Sequence, residues 1–235
     1  MKLDLLVFAA HPDDVELSAS GIVLNQVAKG DRVGIVDLTR GELGTRGTVA
    51  LRQEEATIAA KILGLTIREN LSLRDGFFEN DESSILKIIE VIRKYQPKYI
   101  IANAPSDRHP DHGRAAELVK RAFFLTGLRK IETKQEPWRP SELFHYIQDE
   151  WITPDLVVDI SSHWENKKKS ILAYSSQFFS NTMSDNEPQT YISSQIFFNN
   201  IESRAREMGR LIGVEFGEGL LKTKKVGLTD LNDLT

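Results

Sequence analysis

The sequence predicts an α/β fold with a mostly parallel sheet and helices on both of its faces. Two observations carry that expectation: short continuous apolar runs alternate with stretches of helical periodicity, and glycine or proline stands at most of the boundaries. "LDLLVFAA" (3–10) is apolar on both alternating sides and reads as a strand buried within a sheet. Residues 15–29 read as a helix stopped by Gly30, a residue suited to the left-handed position just past a helix end. "RVGIVDLT" (32–39) is the second strand. A second helix over 49–63 again meets a glycine, Gly64, and "RENLSL" (68–73) is the third strand. Ile85, Ile88, Ile89 and Ile92 mark one face of a helix, "KYIIAN" (98–103) follows Pro97 as a fourth strand, and Ala115, Leu118, Val119, Ala122 and Phe123 mark the next helix.

The later chain is less regular. "FHYIQ" (144–148) and "DLVVDI" (155–160) read as strands, 164–174 as a helix and 175–190 as a polar loop. Residues 191–211 read as a long helix with Phe197, Ile201, Ala205 and Met208 on one side. Right-handed crossovers between the early strands make them parallel neighbours. No repeat or linker divides the chain, and its 235 residues, 40% of them hydrophobic, suit one domain over 1–235 that buries about 70% of its unfolded surface.

Composition narrows function by exclusion. A formal net charge of −4 gives no electrostatic reason to expect a nucleic acid or an anionic membrane as partner. The basic runs, "KKK" at 167–169 and Lys222, Lys224 and Lys225, are short enough to be a solvated face. The chain has no cysteine, which removes disulfides, thiolate metal sites and cysteine nucleophiles together. "MKLDLLVFAA" is interrupted by Asp4, leaving an apolar run shorter than the roughly 7–15 residues of an export signal. The expectation is a cytoplasmic protein acting on a small molecule.

Two quartets carry the chemistry. The first strand runs into "HPDD" (11–14), and the fourth runs through "NAPSDR" into "HPDH" (109–112). In a parallel sheet the carboxyl ends of the strands share one edge, where ligands bind, so segments almost 100 residues apart should meet. Pro12 and Pro110 push the preceding histidines into extended backbone and bend the chain just after them. Side chains three apart, His11 with Asp14 and His109 with His112, then point toward a common centre. Imidazole and carboxylate suit Zn²⁺ or Fe²⁺, and two histidines with one carboxylate leave a position open for water or substrate. A single histidine at a strand end is ordinarily a hydrogen-bonded loop residue. Three of five histidines in two matching quartets, with Asp13 and Asp14 side by side, ask for a cation. Spacing alone leaves open which acid and which histidine of the second quartet bind it.

"AAHPDDVE" together with "RHPDHGRAA" resembles the LmbE-like (PIG-L) zinc deacetylases, which have a Rossmann-like fold and remove the acetyl group from N-acetylglucosamine-containing substrates. The likeness extends to "DLTRGELGTRGT" (37–48), "LRQEEA" (51–56), "LRDGFF" (73–78) and "GVEFGEG" (213–219), and so covers most of the chain. With those segments the chain is similar to the bacillithiol-biosynthesis branch, whose substrate is N-acetylglucosaminyl-malate. The resemblance implies His11, Asp14 and His112 as zinc ligands, Asp13 as general base and His109 as the group that stabilises the oxyanion. Asp107 or Asp111 is then expected to keep His109 charged and oriented, and the sequence does not choose between them. Because relatives commonly assemble, the resemblance also implies a homo-oligomer, with the apolar side of the late helix as interface. The phenylalanine pairs at 123–124, 178–179 and 197–198 suit a core equally well.

The loop "TRGELGTRG" spaces its glycines G-x-x-G-x-x-G after the second strand, unlike the G-x-G-x-x-G after a first strand that marks a dinucleotide site. Arg40, Arg46 and Arg52 bring three guanidinium groups near the crevice of an acidic protein. Guanidinium grips carboxylate bidentately, so Arg52 and one loop arginine are expected on the two carboxylates of a malate aglycone. Tyr191 is a candidate additional oxyanion donor. His145 and His163 are expected to be structural. The family often has a histidine near "AYSSQF" (173–178), where this chain has serines, which weakens a catalytic role for that segment. Two other classes compete: a non-heme iron oxygenase, disfavoured because its closely spaced ligands belong to a β-barrel, and an inactive sugar-binding scaffold, which would need neither Asp13 nor His109.

Overall fold

The computed structural model describes residues 1–178, 188–225, 227–230 and 232. The chain runs β1 (Leu5–Ala9), α1 (Asp14–Ser18), α2 (Ser20–Ala28), β2 (Val33–Thr39), α3 (Val49–Leu63), β3 (Ile67–Leu73), α4 (Glu82–Tyr95), β4 (Tyr99–Ala102) and α5 (Pro110–Leu125). It continues with β5 (Glu142–Tyr146), β6 (Leu156–Asp159), α6 (Trp164–Leu172), α7 (Gln195–Arg210) and β7 (Gly217–Lys222). Among the described residues, seven strands form one sheet in the order β3-β2-β1-β4-β5-β7-β6. The first five are parallel, and β7 runs antiparallel between β5 and β6. The chain leaves β1 toward β2 and β3, then returns to β4 on the other side. The reversal opens a crevice above the carboxyl ends of β1 and β4.

Alternation along the buried strands feeds two cores. Leu6 and Phe8 of β1, with Val36 and Leu38 of β2, pack against Ile85, Ile88 and Ile92 of α4 and Leu118 of α5. Leu5, Val7, Val33 and Ile35 face the other way, onto Val15, Ile22 and Val23 of the first two helices. A third cluster joins Ala59 of α3, Trp164 and Ile171 of α6, and Phe197 and Ile201 of α7. Each fully buried aliphatic side chain contributes about 1.5–3 kcal/mol. The helix ends follow local chemistry: Thr48 and Asp81 cap α3 and α4 through side-chain oxygens, and Gly64 ends α3 at φ 68°.

Three elements differ from the sequence expectation. The helix expected over 15–29 is two helices, broken at Ala19 (φ −140°, ψ 8°). Distant residues hold the break. Lys167 Nζ donates to the carbonyls of Glu16 and Leu17, each at 2.9 Å, while the Glu218 carboxylate accepts from the N–H groups of Gly21 (3.0 Å) and Ile22 (2.8 Å). The two side chains pair at 2.8 Å in a buried setting. The late helix starts at Gln195 because Ser194 caps it, its hydroxyl accepting from Phe197 N at 3.1 Å, so Tyr191 precedes the helix in a turn. Strand β7 was not expected, since Gly217 and Gly219 lower strand propensity. Gly217 is required there: a Cβ would meet the Gly209 nitrogen of α7 at 2.8 Å. Phe179 and positions 179–187 of the expected polar loop lie outside the described residues. Among the described residues no helix is long and apolar enough to cross a membrane.

Lys167→Met leaves Glu218 buried without its cation and is expected to cost about 3–5 kcal/mol in urea unfolding. Adding Glu218→Gln should recover part of that loss. A single-variant cost below about 1 kcal/mol, the value of an exposed pair, would show that the pair does not hold the break.

Candidate active site and metal centre

His11 leaves β1 at the crevice and His109 caps α5, its Nδ1 accepting the Asp111 N–H at 3.3 Å, with Pro110 as the first helical residue. His112 follows one turn later. Ring nitrogens of His11, His109 and His112 lie within 4.8 Å of one another. Asp14 stands against two of them: its Oδ1 is 3.1 Å from His112 Nε2 and its Oδ2 is 3.8 Å from His11 Nδ1. Asp14 Oδ2 also accepts from His11 N (2.9 Å) and from Asn103 Nδ2 (3.0 Å).

The outer nitrogens decide whether a cation fits. His11 Nε2 lies 3.0 Å from Asp75 and 3.3 Å from Asp111, and His112 Nδ1 lies 2.6 Å from Asp107. Each imidazole is thereby fixed by carboxylates on one side and turns its other nitrogen toward Asp14. This is the arrangement by which carboxylates orient metal-ligating histidines. The residues present can hold a divalent cation: the ring nitrogens of His11, His109 and His112 converge, and Asp14 stands against His11 and His112.

These contacts correct two expectations. Neither Asp107 nor Asp111 holds the His109 ring through its carboxylate: Asp107 serves His112, and Asp111 serves His11 and Arg114 (2.7 Å). It is the main-chain N–H of Asp111 that orients His109. Burial and the neighbouring His11 and His112 lower the pKa of His109, so it is neutral at pH 7, with its proton on Nε2, and not charged as expected. The second correction concerns Arg52. Its Nη2 bonds Asp13 Oδ2 at 2.5 Å and Pro12 O at 2.9 Å, which takes up the edge expected to grip a substrate carboxylate. Arg46 is likewise engaged, donating to Ser176 O (2.9 Å) and Pro188 O (3.1 Å). Arg40 is exposed and is not among the residues lining the cavity.

Asp13 has a backbone φ of 127°, a region an L-residue adopts at a cost of about 1–3 kcal/mol and one that clusters at functional sites. Burial pushes its carboxyl up to about 7; Arg52 opposes the rise and Asp14 adds to it. Burial also works against charge on the two inner histidines, but carboxylates outweigh it. Asp14 and Asp107 raise His112 to about 9, and Asp111, Asp14 and Asp75 raise His11 well above its ordinary range. Behind α1, Arg68 bridges Glu16 (2.5 Å) and Asp37 (2.8 Å), and Tyr174 donates to the same Glu16.

A cavity of about 390 Å³ opens over these groups, within the size range of small-molecule sites. Tyr191 lines it with its hydroxyl 3.3 Å from Asp149 and does not contact the histidines. His145 bonds the Asn103 carbonyl at 2.7 Å, and neither it nor His163 lines the cavity. The serines of "AYSSQF" hold Glu55: Ser176 donates to it from N at 2.7 Å and from Oγ at 2.8 Å, and Ser175 from Oγ at 3.2 Å. Asp75, Asn103, Gln148 and Arg204 escaped the sequence reading. Asn103 directly follows β4 and Gln148 lies two residues past β5, so the strand-end rule that located the histidines points to them as well. Asp75 sits in "LRDGFF", and Arg204 carries no motif.

Crevice, cavity and histidine cluster define an α/β protein with a candidate metal centre at the reversal of its sheet. Residues 6–123 match the family model described as GlcNAc-PI de-N-acetylase (PIG-L), and the chain belongs to that LmbE-like family. A conserved protein of Thermus thermophilus is 34% identical, with a TM-score of 0.88 over 97% of this chain and 98% of its own. A 4-oxalmesaconate hydratase of Pseudomonas putida is 27% identical over 190 residues, 73% of each chain. The N,N'-diacetylchitobiose deacetylase of Pyrococcus horikoshii, 24% identical, shares the fold at a TM-score of 0.81 over 98% of this chain and 88% of its own.

In the metal-free site His11 and His112 are protonated below their raised pKa values, and a cation must displace those protons. Affinity for Zn²⁺ is therefore expected to rise with pH through the region near 9 where His112 titrates. Calorimetry in buffers of differing ionisation enthalpy should register proton release on binding. Affinity independent of pH would remove the two histidines from the ligand set.

Proposed function

We propose that the protein is a zinc-dependent N-deacetylase of an N-acetylglucosaminyl conjugate, with N-acetylglucosaminyl-malate as substrate. The observation that carries this reading is the pairing of a carboxylate-oriented histidine cluster with an uncoordinated acid, Asp13, whose carboxyl titrates near neutrality. The family and the "HPDD" and "HPDH" segments support the reaction type; the loop segments "TRGELGTRG" and "GVEFGEG" support the substrate.

Amide hydrolysis needs a nucleophilic water, a polarised carbonyl and a protonated leaving nitrogen. His11, Asp14 and His112 would hold a divalent cation, which when bound would supply Lewis acidity and lower the pKa of water. Asp13 accepts the water proton as the C–O bond forms and delivers it to the nitrogen as the C–N bond breaks, giving acetate and a free amine. A base that titrates near the working pH combines availability with driving force. Arg52 holds one oxygen of Asp13 and limits the rise of its pKa, so that enough carboxylate is present at pH 7. His109 in its neutral form donates Nε2–H to the oxyanion, a contribution of about 3–4 kcal/mol for a donor of this kind. Because Arg52 serves Asp13, it acts on the base and not on the aglycone.

A hydratase is the second reading, favoured by the likeness to the Pseudomonas putida enzyme. It uses the same base but cleaves no amide, so release of primary amine from N-acetylglucosaminyl-malate by metal-stripped protein reloaded with Zn²⁺ separates the two. Zinc-restored release is expected. Folded, zinc-loaded protein that releases no amine from any N-acetyl sugar would overturn the deacetylase reading.

Asp13→Asn should fold and bind zinc yet lose about 10²- to 10⁴-fold in kcat. Since Arg52 lowers the pKa of Asp13, Arg52→Met is expected to move the acid limb of the kcat/KM profile to higher pH, and an unmoved limb would separate Arg52 from the base.

A further inference from the structure

Arg204 of α7 is a partly buried guanidinium in the cavity wall that pairs with no carboxylate among the described residues. Its Nη1 donates to the Gln148 carbonyl and its Nη2 to the Leu17 carbonyl at 3.4 Å, both main-chain acceptors. Nε and a second proton on each Nη have no acceptor among the described residues. The other arginines of the cavity differ. Arg52 is closed by Asp13 at 2.5 Å and Arg108 by Asp149 at 2.8 Å, while Arg46 is engaged by Ser176 and Pro188.

The carboxylates whose field reaches Arg204 are Asp149, Asp107 and Glu218. Each is already held. Asp149 accepts from Arg108 and Tyr191, Asp107 from His112 and the Glu150 N–H (2.8 Å), and Glu218 from Lys167, Gly21 and Ile22. A guanidinium withdrawn from water without an anion is costly, and carbonyl oxygens offset only part of that cost. An anion supplied by the ligand would complete the site.

Position gives the anion its place. Arg204 lines the 390 Å³ cavity that holds Asp13 and the histidines, and also an adjoining cavity of about 260 Å³ bounded by Trp151, Tyr191 and Asn200. It therefore stands where a substrate passes beyond its reacting sugar. We propose that Arg204 receives a carboxylate on the aglycone and is the residue that selects acidic conjugates. The proposal rests on the deacetylase reading for the position of the sugar. Two parallel N–H donors at Nε and one Nη match a carboxylate.

The test compares the zinc-loaded full chain with Arg204→Met and Arg204→Lys on N-acetylglucosaminyl-malate and on the neutral methyl N-acetylglucosaminide, and measures malate binding by calorimetry. The ratio of kcat/KM for the acidic substrate to that for the neutral one is expected to fall about 10- to 100-fold in Arg204→Met, the worth of a hydrogen-bonded charge. In Arg204→Lys, which keeps the charge but loses the fork, the ratio should fall less. Malate binding should weaken in the same order. An equal loss on both substrates, or an unchanged ratio in folded Arg204→Lys together with unchanged malate binding, would overturn the proposal. If the wild type releases amine from neither substrate, the deacetylase reading fails, and the malate titrations alone still judge Arg204: binding lost in the variants supports it and binding retained overturns it.

Discussion

Buried carboxylate charge at the carboxyl ends of β1 and β2 is the constraint around which the site is arranged. Asp13, Asp14, Glu16 and Asp37 are all withdrawn from solvent within a few residues of these strand ends. Two unit charges 4 Å apart interact by about 4 kcal/mol at the effective dielectric of such sites, so four carboxylates cannot gather there uncompensated. Arg68 answers Glu16 and Asp37 together, and Arg52 answers Asp13. Asp14 is left to His11 and His112, whose own outer nitrogens face three further acids, Asp75, Asp111 and Asp107. Positive charge is wanted at one point, between Asp14 and the two histidines. Protons fill that need when no metal is bound, which is why the two histidines hold theirs so firmly.

The same constraint explains why α1 is short. A continuous helix over 15–29 would satisfy its own main chain and would need no outside partners. The break at Ala19 exposes the last carbonyls of α1 and the first N–H groups of α2, which Lys167 and Glu218 satisfy from α6 and β7. The direction of α1, and with it the placement of Asp13 and Asp14, is thus set from the far half of the chain. The buried Lys167–Glu218 pair gives little net stability by itself. Its effect is to fix one geometry of the break.

Much of the fold was legible in the sequence because early strands and helices announce themselves locally. The apolar runs of β1, β2 and β4 and the spaced isoleucines of α4 record burial in their own periodicity, and Gly64 records a helix end. The meeting of the two quartets was legible for the same reason: parallel strands deliver their carboxyl ends to one edge. What could not be read is what depends on partners far along the chain. Nothing between residues 15 and 29 signals a break held by residues 167 and 218. That Asp107 and Asp111 serve His112 and His11, and that Arg52 meets Asp13, could not be read because spacing places a residue near a site without saying which atom faces which. Strand β7 was hidden by Gly217 and Gly219, whose value is the close approach of α7 and not strand propensity.

The two walls of the cavity come from different parts of the chain. The clustered histidines, Asp13 and Arg52 all fall within residues 6–123, the segment matched by the family model. The opposite wall of the cavity is built from later residues: Asp149 after β5, Tyr191 ahead of α7, and Phe197 and Arg204 on α7. A base near neutral pKa beside a cation activates water equally for an amide or for another electrophile, so the early segment leaves the electrophile open. Selection must then fall to groups that touch the rest of the substrate. Substitutions on α7 can alter those groups without disturbing the charge balance beneath α1, apart from the contacts Arg204 makes to Gln148 and Leu17. A fold divided this way lets the later wall vary while the clustered residues of the early segment stay in place.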